Sequence, residues 1–445
     1  MNLVPSFKPL LQVFSAEMSS PTFQTFYQII IGWFFASQHL ISQAIFHSGN
    51  ARIRHHASFY RVFSCAAWDI NRVGWNTCDR IFSRFYRSSK IPIELVIDDT
   101  NARKCGRKVF GTGWHYDPLS TAPNKKQSTW AHNWVVLTVL VHPFRDSAKR
   151  VAMTIQSRLY ISLKTAQKKK LAYCTKTGLA LEMLQILCDK YPNRMFHLLV
   201  DAAYGVSDMI AKLPSNCHMT SRLRCDSRFY RLFKPVEKQG RGRPRKRGKA
   251  MEKATVLFQN RVKTSRELTL YGRPTKVQWV TFKACLYETP ERELRIVVVQ
   301  FPETKGKKIP KLVTLYSTNL GMSAQEVVES YCRRWSIEET FQEAKGHLGF
   351  EEPRSWSEMS VRRLAPTILI LHSLLWLWAS REKLNTRTVN MKLPWNRKTE
   401  FLSMTDILQI MREKQVKEII KSTQNDGPKR KKRCKYLQYL IPAAA

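Results

Sequence analysis

At 445 residues the chain is too long for one core of ordinary size, so two or three domains are expected. Its 43% hydrophobic and 11% aromatic content exclude wholesale disorder. With 74 Lys and Arg against 34 Asp and Glu the net charge is +40, a self-repulsion that calls for a polyanionic partner: DNA, RNA or an anionic membrane surface.

The 10 cysteines are scattered from Cys65 to Cys434 with no C-x-x-C pair and no metal-ligand spacing, which fits a reduced cytoplasmic protein. The opening residues lack the basic, apolar and small-residue regions of a secretory signal. Two apolar stretches, 26–46 and 365–379, fall short of a clean span of about 20 apolar residues, the first being broken by Gln28, Gln38 and His39. Both are expected to be buried helices, and no membrane partner is expected.

Residues 1–88 read as helical, with Phe34, Phe35, Leu40, Ile41, Ile45 and Phe46 at three and four spacing. Arg52, Arg54, His55, His56, Arg61, Arg72, Arg80, Arg84 and Arg87 follow, which suits a helical DNA-contacting domain or, equally simply, a packing module with a solvated basic face. From Ile91 the texture changes to short apolar and β-branched runs: 91–97 ahead of Asp98, then 134–141, 151–160 and, after a helix over 177–190, the run 195–200 ahead of Asp201. That order predicts an α/β arrangement around a mixed sheet. A basic stretch over 240–249 interrupts the pattern and is followed by strand-like runs at 254–262, 276–287 and 294–301. After a strand at 312–316, helices resume from Ser323, and a basic tail runs from Lys429 to Arg433. No internal repeat is evident.

The chemistry-bearing residues fall at ends of these elements. Asp98 and Asp201 each close a buried apolar run, where sheets open to solvent. One such Asp is more often a turn former or helix cap. Two on neighbouring strands would place like charges together and call for a cation, with Mg²⁺ the natural partner of hard oxygen ligands. Tyr331, Arg334, Glu338 and Lys345 stand in the spacing Y-x2-R-x3-E-x6-K. At about 100° per residue one continuous helix would put all four on a narrow stripe beside an apolar stripe of Ile337, Phe341 and Leu348. Surface helices also carry Arg and Glu four apart for stability alone.

With these motifs the chain resembles DDE transposases of the bacterial insertion-sequence-four superfamily. The likeness rests on Asp98-Asp99-Thr100, on Asp201 within Leu199-Val200-Asp201-Ala202-Ala203-Tyr204-Gly205, and on the Tyr331, Arg334, Glu338, Lys345 series, and extends over roughly residues 50–375. It implies a ribonuclease H-like fold with a β-rich insertion, organised as an N-terminal helical DNA-binding domain (1–88), a catalytic domain (89–221 and 312–380), a basic β-rich insertion (222–311) and a helical basic C-terminal region (381–445). It also implies Asp98, Asp201 and Glu338 as catalytic, metal-binding carboxylates. They would hold two Mg²⁺ ions, for which Mn²⁺ can substitute, one activating the attacking water or 3′-hydroxyl and the other steadying the leaving oxygen. Asp98 is chosen over Asp99, and Glu338 over Glu339, by motif position.

Tyr331, Arg334 and Lys345 would contact backbone phosphates. Arg241-Gly242-Arg243-Pro244 resembles an AT-hook, so Arg241, Arg243 and Lys246 are further DNA-binding candidates, in an A·T-rich minor groove or as a nonspecific phosphate grip. Trp279, the only Trp of the insertion, could stack on a flipped base, although an aromatic in a strand is usually core. The expectation is therefore a bacterial, cytoplasmic transposase that cuts and joins double-stranded DNA at terminal inverted repeats and target sites, as a homodimer on paired ends. The alternatives are a noncatalytic DNA-binding regulator derived from a transposase and a structure-selective nuclease of the same fold.

Overall fold

The computed structural model describes residues 3–117, 128–144, 149–224, 226–233, 247–302, 311–384 and 402–424. The chain forms two compact units: Met1–Arg87 with Asp99–Cys174 and Glu338–Ala445, and Ser88–Asp98 with Thr175–Ile337. The fold is α/β, with mixed sheet flanked by helices, of the ribonuclease H-like kind.

Strand β1 (Ile93–Arg103) leaves its second half in the first unit, where β2 (Gly113–Tyr116), β3 (Ser128–Val141) and β4 (Val151–Tyr160) also lie. Strand β3 pairs antiparallel with both β2 and β4. It also lies antiparallel to β1, because Asn133 binds Asp99 while Trp130 O accepts from Lys104 N. Strand β4 is buried along nearly its whole length, with Val151, Met153, Ile155 and Leu159 alternating along the chain with Thr154, Gln156 and Arg158. Two helices cover it. Glu358–Arg381 donates from Ser373 to Thr154 O, and Ile70–Phe85 accepts at Asn71 O from Gln156. Gly74 permits that second approach, since a Cβ there would stand 2.2 Å from Ile155 O.

Glu358–Arg381 is long and apolar enough to cross a membrane, but its most apolar window is 100% buried within the protein. Arg363 near its start donates to the carbonyls of Phe63, Ala66 and Trp68, fastening the N-terminal helices to it. The basic residues of that N-terminal segment are mostly exposed, while Phe26, Ile30, Phe34, Ile45 and Phe63 fill the core.

The second unit contains the first half of β1 together with β5 (Phe196–Val200), β6 (Cys217–Arg222), β7 (Phe229–Tyr230), β8 (Thr264–Leu270), β9 (Arg273–Leu286), β10 (Leu294–Gln300) and β11 (Leu312–Ser317). β1, β5 and β6 are parallel neighbours, and β6, β11, β10 and β9 continue antiparallel. The antiparallel β4-β3-β1 run of the first unit and the parallel β1-β5-β6 run of the second are the ribonuclease H-like strand pattern.

Residues 254–262, read from sequence as a strand, instead contain the helix Ala254–Asn260. Its buried Ala254, Leu257 and Phe258 are spaced three and four apart, a helical period that outweighs the single β-branched pair at Thr255 and Val256. Trp279 is 4% exposed and packs in β9 with Leu268, Val297, Val313 and Val327. Its ring is core.

Candidate active site

In the second unit, β1 and β5 pair in register from Ile93 against Phe196 to Ile97 against Val200. The next residues of the two strands are Asp98 and Asp201, so their Cα atoms stand about one interstrand spacing apart, roughly 5 Å. Both are partly buried. The strand ends hold them by different means. Asp201 Oδ1 accepts from the backbone N–H of Ala203 (2.9 Å) and Tyr204 (3.2 Å), while its carbonyl accepts from Gly205 N (2.9 Å) and Ser221 Oγ (2.8 Å).

Gly205 is required by that turn, because a Cβ there would lie 2.1 Å from Ser221 Oγ. Gly205→Ala is therefore expected to push Ser221 off the Asp201 carbonyl and to cost about 1–3 kcal/mol. Thermal unfolding checks this, and Gly205→Ala combined with Ser221→Gly should recover part of the loss.

Asp98 meets a cation of the protein itself. Arg334 Nη1 donates to Asp98 Oδ2 at 2.8 Å, with both side chains largely buried. Four residues earlier on the same face of β1, Glu94 accepts from Arg333. Both arginines end the helix Ala324–Arg333, which starts on a capping box between Ser323 and Glu326 and packs Val327 and Val328 against the β8–β11 core. The Tyr331 ring lies 5.9 Å from the Arg334 guanidinium. Burial raises the Tyr331 phenol above its ordinary pKa, against the opposing charges of Arg334 and Arg222, with Asp201 adding to the rise.

Arg222 is a residue the sequence reading missed. It closes β6 two positions after the pairing of Leu199 with Thr220, at the level of Asp201. A lone Arg at the end of a short strand carries no signal of its own. Its meaning comes from the register.

The expected single helix through Tyr331 and Lys345 is broken. Ala324–Arg333 ends, and Ser336–Leu348 begins after a turn at Arg334 and Trp335. Arg334 N, Trp335 N and Ile337 N bond to the carbonyls three residues back, a winding of about 120° per residue, tighter than an ideal helix has.

Glu338 and Lys345 belong to the first unit. Glu338 is half-buried in the first turn of Ser336–Leu348, whereas Glu339 is exposed. Lys345 Nζ lies 3.4 Å from Glu351 Oε1. Also in the first unit, Asp99 accepts from Asn133 Nδ2 at 2.7 Å. Successive strand residues face opposite ways, so Asp99 is committed to β3 and Asp98 is the carboxylate left to face Arg334. Among the described residues no three His, Cys, Asp or Glu side chains are gathered as a metal-holding cluster. The donors nonetheless suit a hard cation: Asp98 and Asp201 offer carboxylate oxygens on adjacent strand ends, and the Asp98 position already accepts the positive charge of Arg334. Arg241, Arg243 and Lys246 lie outside the described residues.

A family model described as DDE superfamily endonuclease matches residues 45–284, more than half of the chain. The chain belongs to the DDE superfamily endonucleases. The match includes both strand-end aspartates and stops before Glu338. Nucleases of this superfamily act on DNA with divalent metal ions, which agrees with the excess of basic residues in this DDE endonuclease and with its paired Asp98 and Asp201. No curated protein matches the chain.

Proposed function

We propose that this DDE endonuclease is a bacterial, cytoplasmic transposase of the insertion-sequence-four group, cutting at the terminal inverted repeats of its own element and joining the ends to target DNA as a homodimer. The observation that carries the reading is the pair of aspartates on adjacent parallel strand ends with Arg334 beside them. Asp98 and Asp201, with Glu338 supplied by the Tyr331, Arg334, Glu338, Lys345 motif, would ligate two Mg²⁺ ions. When bound, the ions supply Lewis-acid activation of an oxygen nucleophile and charge stabilisation at the phosphodiester.

The chain's own groups orient the DNA. Arg334, already directed at the site, exchanges Asp98 for a backbone phosphate through its planar fork. Arg222 and Tyr331 border the same strand ends and are assigned to phosphate contact, as is Lys345. Arg241, Arg243 and Lys246 are assigned to DNA outside the cleavage site.

A supercoiled plasmid carrying the DNA that flanks the gene tests the reading. Mg²⁺-dependent excision at fixed ends, followed by joining to a second plasmid, is expected. Cleavage of branched junctions irrespective of end sequence, without joining, would identify a structure-selective nuclease instead. The second reading is a DNA-binding regulator derived from a transposase, for which the net charge of +40 accounts equally well. Sequence-specific binding with no nicking in Mg²⁺ or Mn²⁺ would decide for it.

A further inference from the structure

Strand β2 alternates buried and exposed, and what it exposes is aromatic. Gly113 and His115 face inward, while Trp114 is 66% and Tyr116 69% exposed. Exposed rings of that size on a strand offer flat apolar surface to an outside partner. Cross-strand pairing places Trp130 of β3 directly opposite Trp114, with ring centroids 5.7 Å apart and planes at 69°. Trp130 in turn donates from Nε1 to Gly106 O at 3.2 Å, which holds the loop carrying exposed Arg107 and Lys108 against the aromatic face. At the other end Arg103, also exposed, reaches Asp117 at 3.0 Å, just past Tyr116.

The surface is therefore apolar in the middle and cationic at its rim. A protein-binding patch would take its charge complement from an acidic partner, but the chemistry at hand is that of a nucleic acid strand: phosphates for the arginines and lysine, flat bases for the rings. Two residues along a strand are separated by roughly 7 Å. That is about twice the stacking rise of roughly 3.4 Å, the separation at which two side chains can hold one base plane between them.

We propose that Trp114 and Tyr116, backed by Trp130 and flanked by Arg103, Arg107 and Lys108, form a stacking platform for an unpaired DNA base. The platform lies wholly within the first unit and uses none of the residues assigned to cleavage. It rests on the reading of the chain as a DNA-processing endonuclease. It adds a preference for single-stranded or frayed DNA, as at a nicked or opened end.

The test measures binding of the full chain, in EDTA so that nothing is cut, to labelled oligodeoxythymidylate of about 12 nucleotides and to a blunt duplex. Trp114→Ala/Tyr116→Ala is expected to weaken single-strand binding about ten-fold or more, the loss of one stacked base. Duplex binding should change less than about two-fold, because duplex affinity comes from phosphate contacts. Trp114→Phe/Tyr116→Phe should restore most of the single-strand affinity, and tryptophan fluorescence of the parent should be quenched on binding. Equal single-strand affinity of the parent and the alanine variant overturns the platform while leaving the endonuclease reading intact. A change in sedimentation with unchanged DNA affinity also overturns it, marking the face as a protein contact. Failure of the parent to bind either DNA sinks the DNA-processing reading itself, and the platform with it.

Discussion

Replacing Asp98, Asp201 or Glu338 by alanine is expected to lower metal-dependent strand cleavage by about three orders of magnitude or more, with salt-sensitive DNA binding largely kept. Each substitution would remove one charged oxygen ligand from the cation site. DNA affinity survives because it comes from many Lys and Arg contacts spread over a chain of net charge +40. The three variants should nonetheless differ in stability, and the difference guards against a trivial explanation.

Asp98→Ala leaves the Arg334 guanidinium, 11% exposed, without the carboxylate it faces. Losing one charge-assisted hydrogen bond of a largely buried guanidinium costs about 1.5–3 kcal/mol. Asp201→Ala removes only the acceptor of two backbone N–H groups beside the strand end, a smaller loss. Thermal melts should therefore rank Asp98→Ala below Asp201→Ala, while single-turnover nicking of a labelled end falls equally in both. Asp98→Asn, which keeps a hydrogen-bond acceptor for Arg334, separates the two effects: it should regain stability without regaining activity. Full Mg²⁺-dependent cleavage by any of these variants would remove that residue from the site.

These strand-end aspartates were legible in the sequence because β1 and β5 read as mainly apolar runs, interrupted by Glu94 and His197, that stop at an acid. Their neighbourhood, by contrast, is a fact of pairing: Ile97 opposite Val200 comes from sheet register, which lies between segments a hundred residues apart. Arg222 was invisible for the same reason.

The turn at Arg334 and Trp335 contains neither Gly nor Pro, so nothing in its composition announced a break between the two helices. β2 has four residues, too few for a period, and its outward residues are Trp and Tyr where an exposed strand face is usually polar. Glu343 escaped notice because helical spacing from Ile337, Phe341 and Leu348 puts it on the opposite side, the expected solvent face. Its burial depends on Lys149 from before the helix and on His372 and Trp376 from after it. None of these contacts has a local signature.

Glu343→Gln is expected to destabilise the first unit by on the order of 3 kcal/mol near neutral pH and to flatten its acid sensitivity. The Glu343 carboxylate, 17% exposed, sits 2.7 Å from His372 Nε2, 3.1 Å from Trp376 Nε1 and 3.5 Å from Lys149 Nζ. Burial by itself would raise its pKa. The contacts with His372, Lys149 and Trp376 outweigh that and hold it at about 2, against an ordinary 4.5. Because the folded value lies below the unfolded one, the carboxylate's contribution is complete above about pH 4.5 and is lost as pH falls toward 2.

Denaturant unfolding at pH 7, 5, 4 and 3 should show the parent losing stability steeply below pH 5 and the glutamine variant losing less over the same interval. Parallel curves would deny Glu343 this role. The consequence for activity is one of position: Glu343 lies five residues beyond Glu338 on Ser336–Leu348, and its bonds to Glu358–Arg381 fix the roll of that helix. Loosening them should reduce cleavage through misplacement of Glu338, and a shorter side chain at 343 that keeps the charge, Glu343→Asp, should recover more activity than glutamine does.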